Sequence, residues 1–286
     1  MDYLAKKLIH LVHSKHSSWK SIYSILKADS GLNNLYEEKY YTSLFAQQNH
    51  LLSNLHEIPV DKILSEYSSQ NIHLITIFDD NYPERLKTIY QPPWVLFAKG
   101  DMSLLNYQQS LAVVGSRKAS EYGLKAIEYL FSELVEKGIL IVSGLARGID
   151  AHAHKTAIRL GGRTTGVIAG GFSNIYPKEN LKLAGYMMEK QLVISEYPPS
   201  TPPEKWHFPM RNRIISGLSM GTLVIEARKK SGSLITAEFA LNEGREVFAV
   251  PGSILTPNSD GVHDLIQQGA KLIKNPQEIL EELQIL

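Results

Sequence analysis

Three times along this chain a short apolar run ends in glycine with a basic residue close behind. Val114-Gly115-Ser116-Arg117 is the first case, and Ser143-Gly144-Leu145-Ala146-Arg147-Gly148 is the second. Ala169-Gly170-Gly171 is the third, with Tyr176-Pro177-Lys178 just beyond it. Glycine lets a ligand approach the backbone closely, and the N-terminus of a following helix offers unpaired N–H groups to an anion. Arginine adds a planar fork of donors that matches phosphate. A single turn of this kind is commonly only a tight connection. Three of one chemistry point to several phosphates rather than one.

A fourth segment, PPEKWHFPMRNRIISGL at 202–218, gathers Lys205, Trp206, His207, Phe208, Arg211, Asn212 and Arg213 ahead of a helix. Guanidinium groups there would hold phosphate and the rings would stack on bases, although Trp206 and Phe208 equally suit a packed loop anchor. Arg228-Lys229-Lys230 followed by Ser231-Gly232-Ser233, with Thr236 behind, forms a fifth candidate anion cradle; its alternative is a solvated charged turn. Catalytic patterns are sparse. No Walker A sequence occurs, no GxGxxG follows a strand and no GxSxG elbow is present. Asp150 reads as a helix cap, and His152 and His154 lack further ligand residues at metal-binding spacing. The residues predict a grip on a polyanion, with no catalytic group, metal or cofactor.

These loops need a scaffold. β-rich runs at 73–78, 94–98, 111–115, 139–143, 165–169, 192–196, 222–226 and 246–250 are mostly separated by helix-length segments at 120–137, 150–160, 180–190 and 233–242. Alternation of strand and helix predicts right-handed crossovers and a largely parallel sheet covered on both faces. In such a sheet, ligands collect outside the carboxyl ends of the strands, where these loops fall. Apolar residues at helical spacing predict helices over residues 4–12 and 19–26, around Glu37–Asn49 and over 59–69, with a last helix at 277–283. The organisation expected is a small helical domain at 1–70 and an extended Rossmann-like α/β domain at 71–286.

The 286 residues contain no cysteine, which removes disulfides and thiolate chemistry and agrees with a cytoplasmic location. No apolar run is long enough to span a membrane. Net charge is only +1, so any nucleic-acid site must be local. Residues 111–213 carry 14 Lys/Arg against 9 Asp/Glu, whereas residues 1–110 carry 10 against 11. The basic excess lies where the loops are.

Five runs, VGSRKASEYG at 114–123, SGLARGIDAHAHKTAI at 143–158, GVIAGGFSNIYPKEN at 166–180, SEYPPSTPPEKWHFPMRNRIISGLS at 195–219 and VIEARKKSGSLITAEFALNEGREVFAVPGS at 224–253, together resemble the DNA-processing protein A (DprA/Smf) family. The resemblance spans roughly residues 75–275. It implies an extended Rossmann-like fold that binds single-stranded DNA without sequence preference and loads RecA recombinase onto it in natural transformation. It also implies dealings with single-strand-binding protein, a homodimer and no catalysis. By position, Arg117 and Lys178 are the expected main phosphate contacts, Arg211, Asn212 and Arg213 line the same site, and Ser116, Gly144, Arg147 and Gly170 support it. The N-terminal helices resemble the SAM-like or helix-hairpin-helix extensions of some members, and an end at residue 286 carries no expectation of a winged-helix domain. Val262, Leu265 and Ile266, at helical spacing, are the expected dimer face, with ordinary core packing as their alternative. Two other readings stand beside this one. A nucleotide phosphoribohydrolase of the lysine decarboxylase-like group is loosely echoed by Gly221, Thr222 and Glu226, and a protein scaffold would make the basic loops incidental.

Overall fold

The computed structural model describes residues 3–14, 17–37 and 55–285. They form two compact units, Met1–Tyr82 with Pro93–Phe97, and Pro83–Pro92 with Ala98–Leu286. The expected division at 70/71 falls inside the first unit, which also takes in the strand at 73–76.

The first unit contains helices α1 (Tyr3–Val12), α2 (Trp19–Ala28) and α3 (Val60–Ser69), strand β1 (His73–Thr76) and the start of β2 (Val95–Gly100). Helix α1 buries Leu8, Ile9 and Leu11, the stripe that its apolar spacing predicts. Helix α2 opens with a reciprocal cap: Ser21 N donates to Ser18 Oγ at 3.1 Å, and Ser18 N donates to Ser21 Oγ at 2.8 Å. The helix expected around Glu37–Asn49 lies, from residue 38 onward, outside the described residues.

The second unit alternates as the sequence predicts. Its elements are α4 (Glu84–Lys87), β3 (Ser110–Val114), α5 (Glu121–Glu136), β4 (Leu140–Ser143), α6 (Ile149–Arg159), β5 (Thr164–Ile168), α7 (Leu181–Lys190) and β6 (Leu192–Ser195). After these come α8 (His207–Gly217), β7 (Gly221–Val224), α9 (Gly232–Asn242), β8 (Glu246–Ala249), α10 (Asp260–Gln267), β9 (Lys271–Leu272) and α11 (Pro276–Glu282). Its strands lie in the order β6-β5-β4-β3-β7-β8-β9, all parallel, with Leu111 opposite both Ile141 and Gly221. The chain builds outward from β3 through β4, β5 and β6, then returns to place β7, β8 and β9 on the other side. Strand order therefore reverses beside β3, which opens a crevice at the carboxyl ends of β3 and β7.

Side-chain alternation along β3 sends Leu111 and Val113 into a core with Ile127, Leu130, Phe131 and Leu134 of α5 and Ala153 and Ala157 of α6. Each large aliphatic or aromatic side chain buried there contributes roughly 1.5–3 kcal/mol, which holds the strand ends rigid. Helix α7 covers the other end of the sheet through Ala184 and Met187, packed with Leu145, Ile168 and Val193. The expected dimer face is corrected here. Val262 and Leu265 of α10 are 1% and 6% exposed within this chain, and Ile266 is half-buried. Their helical spacing marks the face that α10 turns to its own core. No helix among the described residues is long and apolar enough to cross a membrane.

Candidate nucleic-acid interface

The crevice at the strand-order reversal is an open groove of about 780 Å³. One wall comes from the turn after β3 (Gly115, Ser116, Arg117, Lys118) together with Tyr176, Pro203, Lys205 and Phe208. Arg228 and the first turns of α9 (Ser231, Gly232, Ser233, Thr236) line the groove as well, and so do Ala146 and the buried Asp150, Arg211 and Asn212. Arg117, Lys118, Lys205, Arg211 and Arg228 supply positive charge. Asp150 is the single acid lining it among the described residues.

The turn after β3 is shaped by its neighbours. Ser116 Oγ accepts from Lys118 N at 3.1 Å and donates to Lys118 O at 3.0 Å, folding the turn on itself. Ser116 O accepts from Ile149 N at 3.1 Å, tying the turn to the start of α6. Gly148 makes this approach possible: its φ is +70°, and a Cβ there would lie 2.3 Å from Ser116 O. Arg117 is exposed, and its Cζ sits 5.6 Å from the centroid of the Phe208 ring, which meets Tyr176 edge-on at 5.7 Å. The aromatic pair gives the guanidinium a platform worth about 0.5–1 kcal/mol without consuming its donors.

Arg211 lies beneath, only 4% exposed. Its Nη1 donates to Val167 O at 2.6 Å and to Gly144 O, and its Nε donates to Asn212 Oδ1 at 3.1 Å. The guanidinium presses so close to Gly144 that a Cβ there would be 2.2 Å from Nη1. Burial pulls the Arg211 pKa down to about 10, with Asp150 opposing the fall. Burial likewise raises the Asp150 carboxyl, opposed chiefly by Arg211 and then by the N–H groups of Ala146 and Gly144. Arg211 and Asp150, both bonded to the backbone of Gly144, thus brace that loop from buried positions, each charge favouring the other. Asn212 extends it, donating from Nδ2 to Gly232 O at 3.1 Å and so fixing α8 to the start of α9.

The sequence-predicted residues separate into groups. Ser116, Arg117, Arg211 and Asn212 line the groove. Gly144 and Gly170 lie behind it; Gly144 serves the Arg211 brace, and Gly170 O accepts from Ser195 Oγ at 2.9 Å. Arg147 is exposed but paired with Glu179, Nε to Oε2 at 2.9 Å. Lys178 is exposed at the head of the turn Lys178–Asn180, two residues beyond Tyr176 on the groove rim. Asn180 pins that turn by donating from Nδ2 to Leu145 O at 2.8 Å and Ala146 O at 3.1 Å. Arg213 does not join the groove: it is 2% exposed and its Nη2 donates to Glu196 Oε1 at 2.5 Å. Lys118 was missed from sequence, where nothing distinguishes it from any lysine in a turn. The Arg228–Ser233 segment leads into α9, the helix its sequence predicts, and the fold brings it to the same groove.

Hydrogen bonding also fixes two residues outside this groove. Glu226, the residue a hydrolase reading would need free, accepts from Ser120 N at 3.0 Å on Oε2 and from Ser120 Oγ on Oε1, closing the start of α5. His154 is fully buried, with Nδ1 2.6 Å from Thr164 Oγ1. The Thr164 hydroxyl donates to Ile141 O at 2.7 Å, so His154 must donate to it from Nδ1 as a neutral ring. Burial pushes its pKa down to about 3.

Residues 73–284 match the DNA recombination-mediator protein A family. The chain is 54% identical over 222 residues to the DNA processing protein DprA of Bacillus subtilis, covering 78% of this chain and 75% of that one. The crystal structure of DNA processing protein A from Streptococcus pneumoniae superposes with a TM-score of 0.87 at 40% identity, covering 99% of each chain. DNA processing protein A from Helicobacter pylori, solved in a study of its single-stranded DNA binding mode, gives a TM-score of 0.67 at 30% identity over 74% of this chain and 96% of that one. With a family match over most of its length and relatives this similar, the chain belongs to the DNA recombination-mediator protein A family.

Proposed function

We propose that this chain binds single-stranded DNA, without sequence preference, by gripping its phosphates in the groove beside β3. The observation that carries the reading is the lining itself: Arg117, Lys118, Lys205 and Arg228 face one open channel whose single acid, Asp150, is buried against Arg211. Guanidinium, ammonium, hydroxyl and backbone N–H groups recognise phosphate and carry no base information, which accounts for sequence independence. Tyr176, half-exposed on the rim, offers a ring on which any base can stack. Ser116, Gly144, Arg147, Gly170, Lys178, Asn212 and Arg213 act around this grip as supports or peripheral contacts. Family membership supports a finer reading in which the bound strand is handed to RecA recombinase in the presence of single-strand-binding protein, the chain working as a homodimer and making no bond itself.

The test compares oligo-dT with duplex of equal length at two salt concentrations. The single strand is expected to bind more tightly, with log K falling linearly in log salt by about 0.7 for each phosphate contacted. Arg117→Ala should weaken binding roughly tenfold or more, the cost of a charged hydrogen bond of about 1.5–3 kcal/mol, with the fold intact. Equal affinity for duplex, or an unchanged salt slope in Arg117→Ala, would contradict the grip. The RecA step is read separately, as the rate at which RecA displaces single-strand-binding protein from DNA; no acceleration by this protein rejects that step alone.

A further inference from the structure

The side of the groove formed by Arg228 and the first turns of α9 has features that packing does not explain. Arg228 is exposed, yet its Nε is fixed by donation to Asn258 Oδ1 at 2.8 Å, which leaves the outer edge of the guanidinium for a ligand. Its neighbour Lys229 is drawn away toward Asp264 at 3.6 Å. Ser231 stands at the cap position of α9 but makes no side-chain bond to the helix; its Oγ lies instead 2.9 Å from Ser233 Oγ. The first N–H groups of α9 therefore have no side-chain acceptor. Thr236 is only 1% exposed, lines the groove, and its hydroxyl pairs with no other described residue. The hydroxyl is thus open to the groove with its hydrogen-bonding capacity unused, available to whatever enters. Gly232 completes the pattern: a Cβ built there meets nothing within 4 Å, and its φ is not in the left-handed region. Neither packing nor backbone conformation requires glycine at this position, and it lines the groove.

We propose that Arg228, the opening N–H groups of α9 and the Thr236 hydroxyl form a second phosphate position, which holds another phosphodiester of the strand whose first contact is Arg117. Non-bridging oxygens would accept from the Arg228 guanidinium, the helix N-terminus and Thr236, so this position combines a charged fork with the positive end of a helix. Among the described residues no acid lines this side of the groove to compete. The inference rests on the single-stranded DNA reading above and deepens it, giving Arg228 a phosphate of its own together with the start of α9 and Thr236.

Three substitutions test it on the full chain with oligo-dT as probe. Gly232→Ala adds one methyl into open space, so the thermal midpoint should hold while affinity falls. Thr236→Val removes only the hydroxyl and should weaken binding about threefold, the scale of a neutral hydrogen bond, with the salt slope unchanged. Arg228→Gln should weaken binding roughly tenfold and lower the salt slope by about 0.7. Wild-type affinity in all three, alongside a weakened Arg117→Ala, would overturn the second position and leave the groove standing. Wild-type affinity in all four would overturn both. Weakening in the three with Arg117→Ala unaffected would keep this position and remove the first. A preference for 5′-phosphorylated over unphosphorylated oligo-dT that Thr236→Val abolishes would reassign it to a terminal phosphate, against the phosphodiester proposed.

Discussion

Replacing Arg211 should damage the fold far more than it damages a surface contact, and the two effects can be measured apart. Arg211→Met keeps the length of the side chain and its aliphatic packing but removes the charge and the donors. Two carbonyls, Gly144 O and Val167 O, would lose the guanidinium, and Asn212 Oδ1 would lose its Nε partner. Asp150 would remain buried without its main stabilising charge. The loss of charged hydrogen bonds to two buried carbonyls, at about 1.5–3 kcal/mol each, sets a cost of about 3–6 kcal/mol. In a unit of this size each kcal/mol lowers the thermal midpoint by about 2–4 °C, so the expected drop is roughly 6–24 °C at neutral pH. The sign of the pH dependence follows from Asp150. Its folded pKa is raised, so its burial is best tolerated at low pH, where it is protonated, and is penalised as pH rises through the folded value. Without Arg211 that folded value rises further. The gap between variant and wild type should therefore shrink as pH falls below neutral. Asp150→Asn in the Arg211→Met background should recover part of the loss. A midpoint within 2 °C of wild type, accompanied by weakened oligo-dT binding, would refute the brace and return Arg211 to the role of a direct phosphate contact.

Glu179→Gln should release Arg147 from its 2.9 Å ion pair and tighten oligo-dT binding a few-fold at low salt, with the gain vanishing at high salt; looser binding would place Glu179 in a structural role. Acid should destabilise the second unit through His154, whose folded pKa of about 3 lies below its ordinary value of 6.5. A depressed folded value means the stabilisation is complete above about pH 6.5 and is lost as pH falls, by about 1.4 kcal/mol per unit for this one group. Denaturation midpoints between pH 7 and 5 would show it, and His154→Gln should flatten the slope. Val262→Ala should lower stability by about 0.5–2 kcal/mol without changing oligomeric mass, because the side chain is in the core of its own chain; a shift in mass would restore it to a subunit face.

Most strands were legible because each centres on a short apolar run between turn residues, the pattern of a sheet buried on both faces. β9 was not, since two exposed residues carry no period. The groove loops were legible because glycine beside arginine at a strand end is chemistry that a core does not need. Arg211 and Arg213 show where this reasoning stops. Taken as the end of a loop, they look like one paired site. They lie within α8, where two positions apart means roughly 200° around the axis, so they cannot share a face. One turns to the carbonyls behind the groove and the other to Glu196. The spacing of Val262, Leu265 and Ile266 likewise reveals an apolar face without saying which surface it meets.

The placement of charge explains why the groove can be both strongly basic and well ordered. A cluster of cations with no counter-charge would repel itself and let its loops move apart. Here the repulsion is met inside, by Asp150 beside Arg211, and the carbonyls of β5 and the β4 loop converge on the same guanidinium. Asn212 carries that order across to the start of α9. The exposed residues Arg117, Lys118, Lys205 and Arg228 are thereby held on a fixed frame, and their ordering need not be bought again from the binding energy of each phosphate. An arginine that never reaches the DNA can in this way set the affinity of those that do, which is why the stability of Arg211→Met must be measured alongside its binding.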